Sequence, residues 1–125
     1  MIDLKVADVW RSDDGVVWMR FKPCETHTLE DAIAVVKAHN DLAGATQVPV
    51  IADIREVTVG ANRQAREHYV SEESSRLKLG MAMLVKSPMQ RMLGNVFFRI
   101  NRPPYPSKMF LNEAKALDWL KSLEA

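Results

Sequence analysis

Two stretches of this chain are apolar on both faces, and the rest of the hydrophobic pattern falls into place around them. Val48–Ile54 reads VPVIADI, with no polar side chain before Asp53, and Met81–Val85 reads MAMLV. Strands without apolar–polar alternation belong in the middle of a parallel sheet, where helices cover both sides. Residues 4–11 and 16–21 predict two more strands, joined at Ser12-Asp13-Asp14-Gly15, whose residue types suit the φ > 0 conformations of a tight hairpin. Residues 108–111 predict a fifth strand.

Helical spacing fills the intervals. After Pro23 ends the second strand, Thr28 opens a helix that Gly44 closes, with Glu30 and Asp31 at the positive end of its dipole. Leu29, Ala32, Ile33, Val36 and Ala43 are expected on its buried face, and His39 at its C-terminal end as a cation. Asn62 is expected to cap a second helix from about residue 63 to 79, with a thin apolar face of Ala65, Tyr69 and Val70. Ser87 and Pro88 start a third, PMQRMLGNVFFRIN, because proline at the first helical position loses no hydrogen bond. Met89, Met92, Leu93, Val96, Phe97, Phe98 and Ile100 cover most of that helix, so it needs a second surface to bury it. Residues 101–106, NRPPYP, form a stiff loop. Asn112 caps a fourth helix whose core positions are Ala116, Leu117, Leu120 and Leu123. The predicted order is ββαβαβαβα, an α/β fold with a mostly parallel five-stranded sheet.

Composition narrows the classes. A length of 125 residues fits one domain spanning 1–125, and 47% apolar with 26% charged residues is ordinary for a globular protein. A net charge of +1 gives no argument for nucleic acid. Cys24 is the sole cysteine, so no internal disulfide forms. The first ten residues lack a signal-peptide core, and no run is long enough for a membrane span. A cytoplasmic location is expected.

The rim where the central strand ends carries the candidate site. In open α/β sheets ligands bind beyond the carboxyl ends of the strands. Here that rim holds Asp53, Arg55, Thr58, Asn62 and Arg63, and the third helix adds Met89, Met92, Phe97 and Phe98 as a surface for a partner or ligand. Asp53 has a structural alternative, since an Asp at a strand end readily accepts from the amides of its own loop. Cys24 and His27 are three apart in a loop, a spacing that does not hold a nucleophile and its base together. His27, His39 and His68 lack metal-ligand spacing. No glycine-rich phosphate loop is present. Neither a metal nor a cofactor is expected, and a binding or interaction protein is expected rather than an enzyme.

Four segments carry a family likeness: THTLEDAIAVV, VPVIADIREV with the AREHYVSEESS that follows, VKSPMQRMLGNVFF and PSKMFLNEAKALDWL. Together they make the chain resemble the STAS or SpoIIAA-like domains, the group that includes anti-anti-sigma factors, and more closely the small uncharacterised bacterial SpoIIAA-like proteins. The resemblance implies a right-handed β/α superhelix with its first strand antiparallel, and a role in protein–protein interaction. Anti-anti-sigma factors place a phosphorylatable Ser after an Asp at the start of their second helix. Ala61 and Asn62 stand at those positions here, and Asn can cap a helix but cannot take a phosphate. The resemblance therefore implies a non-enzymatic interaction module without the phospho-acceptor, with its protein partner unnamed, and the apolar excess of the third helix adds the expectation that it self-associates there as a homodimer. The alternative is a binding protein for a small apolar or lipid-like ligand with the third helix as lid. A continuous dry pocket beneath that helix favours the alternative, and a self-complementary apolar patch favours the module.

Overall fold

The structure, a computed structural model, describes residues 1–124, with the side chains of Leu93 and Phe97 outside that description. Six strands form one sheet in sequence order: β1 (Ile2–Asp3), β2 (Ala7–Arg11), β3 (Val17–Phe21), β4 (Val48–Asp53), β5 (Lys78–Leu84) and β6 (Ser107–Phe110). The pairs β1–β2 and β2–β3 are antiparallel, and β3–β4, β4–β5 and β5–β6 are parallel. The sixth strand relative to the sequence reading is β1, two residues that pair at the edge and are too short to leave a periodic signal.

The helices are α1 (Leu29–Ala43), α2 (Arg63–Tyr69), α3 (Glu72–Ser75), α4 (Pro88–Ile100) and α5 (Glu113–Ser122). The expected helix over 63–79 is two short helices instead. The Ser71 hydroxyl accepts from the Ser74 N–H and restarts the helix after Val70, and the chain is already extended by Lys78. Asn62 does cap α2: its Oδ1 accepts from the Ala65 N–H at 2.9 Å, a contact that stabilises by about 1 kcal/mol. At the start of α1 the Asp31 carboxylate accepts from the Thr28 N–H at 2.9 Å.

β4 is buried at every position. Its alternate side chains enter two cores. Val48, Val50 and Ala52 join Val9, Val17, Met19, Val35 and Met81 on one face. Ile51 joins Trp18, Ala82, Leu84, Ala116 and Leu120 under α5 on the other. Two expectations for α1 are corrected here. Ile33 faces solvent, because the buried line runs through Ala32, Val35, Val36 and His39. His39 is fully buried, so it is not a surface cation at the helix end. Burial, reinforced by the charge of Lys78, pushes its pKa down to about 4, and the ring is neutral.

Truncating the central strand tests this arrangement. Ile51→Ala is expected to lower the unfolding free energy by about 2–5 kcal/mol, read from urea denaturation midpoints. A loss below about 1 kcal/mol would contradict the double coverage of β4.

Candidate functional site

The face of the sheet that carries α1 is not filled by side chains throughout. Beneath α4 lies a cavity of about 410 Å³, within the range of small-molecule sites. Its floor is Met19 and Phe21 from β3, Ala52 from β4, and Met81 and Met83 from β5. Val57, Thr58, Gly60 and Ala61 from the loop after β4, with Arg66 and Tyr69 from α2, make one wall. Pro103 and Tyr105 of the proline-rich loop make another.

α4 supplies the roof through Gln90, Gly94 and Phe98, one line of a helix at four-residue spacing. Gln90 is held at both ends of its amide. Its Nε2 donates to the carbonyl of Ile54 at 2.9 Å and its Oε1 accepts from the Lys86 N–H at 2.7 Å. Gly94 lets the helix come close to β6, since a Cβ there would lie 2.6 Å from the Met109 sulfur. The breadth of the helix's apolar surface thus divides in two. Phe98 turns to the cavity, while Met89, Met92, Val96 and Ile100 face outward, between 44% and 75% exposed.

The polar groups of the cavity sit at its α2–α3 end. His27 is 8% exposed, and its Nε2 shares a hydrogen bond of 2.6 Å with the Tyr69 hydroxyl. The Phe21 ring packs against both. Burial holds the His27 pKa below its ordinary value, against the pull of the Asp31 carboxylate, and burial raises that of Tyr69, so both are neutral. Lys78, 3% exposed, donates to the carbonyl and hydroxyl oxygens of Ser74. Burial brings its pKa down to about 7.

A shift of register brings Lys78 here. Val48 is opposite Lys78, but Pro49 is opposite Gly80, so Leu79 is an extra residue in β5. In a regular strand residue 78 would share a face with Gly80, Ala82 and Leu84, toward α5. The bulge turns it to the face of Met81 and Met83.

Of the residues singled out from sequence, Thr58 and Phe98 line this cavity. Asp53 and Arg55 do not. Asp53 shares the Ile51 face, where its carboxylate accepts from the Arg55 N–H (3.1 Å), Arg55 Nε (2.9 Å), Arg55 Nη2 (2.8 Å) and Arg20 Nε (3.3 Å). Burial raises its pKa, but the hydrogen bonds and charge of Arg55 outweigh that and hold it low. Its acceptor sites are thus taken up within the chain, the structural role that its position allows. Asn62 is engaged as a cap, and Arg63 is exposed and paired with Glu67 at 3.0 Å. Met89 and Met92 are on the outer surface of α4, and the Phe97 side chain lies outside the described residues. Cys24 is a half-buried free thiol that packs on the core, with no hydrogen bond to His27. Sequence reasoning passed over Lys78, Ser74 and the His27–Tyr69 pair. The available signal was a single lysine inside the otherwise apolar run LKLGMAML.

With sheet and cavity described, the likenesses to other proteins gain meaning. An uncharacterised protein of the DUF3478 family from Shewanella loihica PV-4, with a SpoIIAA-like fold, matches at a TM-score of 0.66 and 18% identity over 91% of each chain. A protein of unknown function from Arthrobacter sp. FB24 is 24% identical over 96% of each chain, but at a TM-score of 0.31 that match carries no weight for the fold. No curated protein matches the chain. This is an α/β protein of the SpoIIAA-like fold, with a mixed, mostly parallel sheet. It belongs to the family of the domain of unknown function DUF7793, whose model matches residues 9–124. Among the described residues no helix is long and apolar enough to cross a membrane.

Lys78 makes stability depend on pH with a definite sign. Its pKa is about 7 when folded and, at its ordinary value, 10.5 when unfolded. Between those values the unfolded chain binds more protons, so stability rises with pH and is lost as pH falls through 7. Lys78→Met lacks this term. The variant's melting temperature relative to wild type is expected to be highest at pH 6 and to fall steadily from pH 7 to 10. Losing the Lys78 charge moves the His39 pKa back toward its ordinary 6.5, which leaves the range from pH 7 to 10 to Lys78. A difference in melting temperature that stays flat across the window would mean that Lys78 is not buried as a cation.

Proposed function

We propose that this protein binds a small apolar molecule in the cavity under α4 and is not an enzyme. The observation that carries the reading is the cavity itself: a continuous, mainly apolar space between a rigid sheet and a helix tied to it by the Gln90 side chain. Sites of this kind join apolar walls to a few placed polar groups, here His27, Tyr69, Ser74 and Lys78. α4 is suited to act as a lid. Gly94 allows close seating on Met109, and the Ile54 carbonyl that Gln90 meets also accepts from the Val57 N–H, so it keeps a partner if the helix lifts. The polar groups suit binding better than chemistry, since the hydroxyl of Tyr69 is tied to His27 and, among the described residues, no pair of groups is placed as nucleophile and base.

A neutral apolar reporter such as N-phenyl-1-naphthylamine is expected to brighten on binding the wild-type protein. Ala52→Phe places a ring in the cavity floor and is expected to weaken that binding tenfold or more while the fold, followed by circular dichroism, persists. An unchanged reporter signal with wild-type protein would overturn the reading.

Self-association through α4 is a second reading, favoured by the outward line Met89, Met92, Val96 and Ile100. A two-fold contact would cover the same patch on both copies. Light scattering at micromolar concentration is expected to give the mass of a dimer, and Met92→Glu that of a monomer. A monomeric mass for the wild type would remove this reading and leave the cavity reading intact.

A further inference from the structure

An apolar ligand alone leaves Lys78 unexplained. Its ammonium has three N–H donors, and the oxygens it meets both belong to Ser74. Among the described residues no acidic side chain pairs with it or acts on it, whereas Lys5, Lys22, Lys37, Arg20, Arg55 and Arg63 all have carboxylate partners. An uncompensated buried ammonium costs several kcal/mol, and a methionine would fill the same space at less cost. The cavity lining repeats the imbalance: it contains Lys78 and Arg66 and no Asp or Glu. Arg66 is only partly buried and gives one donor to the carbonyl of Ala61 at 2.8 Å, whereas Lys78 is 3% exposed, so Lys78 is the buried cation of the cavity and keeps a donor to spare. The bulge at Leu79 points the same way, since it is what delivers the side chain to this face.

We propose that the ligand is an amphiphilic carboxylate, a hydrocarbon chain or ring with one carboxyl group, whose carboxylate pairs with the Lys78 ammonium while its apolar part lies along Met81, Met83 and Phe98. This rests on the apolar-ligand reading above and names the chemistry of its head group. A single carboxylate matches a single buried ammonium in charge. A phosphate monoester, with close to two negative charges and more acceptor oxygens, would exceed what one ammonium satisfies. Ion pairing in a site of low dielectric is far stronger than in water, so the head group discriminates strongly.

Calorimetric titration at pH 7 with dodecanoate, 1-dodecanol and dodecyl phosphate, each below its micelle concentration, tests the proposal. Wild-type protein is expected to bind dodecanoate at least tenfold more tightly than either of the others. Lys78→Met is expected to lose that preference, binding dodecanoate at least tenfold more weakly and dodecanol as well as before, which also shows that its cavity is intact. Equal affinity of the wild type for dodecanoate and dodecanol overturns the assignment without touching the apolar-ligand reading, and so does tighter binding of dodecyl phosphate. The comparison on the wild type stands even if the variant fails to fold. Failure of all three ligands and of the neutral reporter overturns the apolar-ligand reading itself.

Discussion

The structure depends on the burial of β4 from both sides. A strand with no solvent face can use only apolar side chains or polar ones whose partners travel with them, and it forces helices onto both faces of the sheet. Among the described residues α5 is the helix that covers the Ile51 face, with Leu84 and Leu120 in the core beneath it and Trp10 and Trp18 stacked on each other beside them. The opposite face is shared by α1, the α2–α3 segment and α4. Four separate elements meet at seams that a single helix does not have. The open space falls where α4 stands over the sheet, and the glutamine contact to Ile54 keeps the helix above it.

Much of this was legible in the sequence because it rests on patterns of local origin. The two both-sided strands, the caps at Asn62 and Asn112, and the Ser87-Pro88 helix start are written in consecutive residues. So was the excess of apolar surface on α4. The misreadings have distinct causes. Ile33 and Val35 are both apolar, and only the tertiary contact decides which of them turns inward. The break between α2 and α3 depends on Ser71, whose hydroxyl can cap a helix or sit quietly within one. β1 is held by its partner strand rather than by its own residues.

The candidate site was less legible than the fold. Thr58 and Phe98 fall on the cavity, but Asp53 and Arg55 belong to the other face of the sheet, one alternation away from Ala52. A polar residue at the end of a buried strand marks the rim without saying which side of the sheet it serves. Lys78 was hidden for a related reason. Its placement depends on counting residues against β4, and a strand read alone does not disclose its register with a neighbour.

The unmatched Leu79 gives a way to sort kindred chains that differs from matching letters in a column. A lysine followed by an unbroken strand would deliver its charge beneath α5, among Trp18, Ile51 and Leu120, where an ammonium has no place. A chain of the same length that paired with β4 without the bulge would therefore keep a lysine in alignment and lack the cationic end of the cavity. Pairing register is separate from residue identity, so a family divided by this one bulge would divide by what its members can hold.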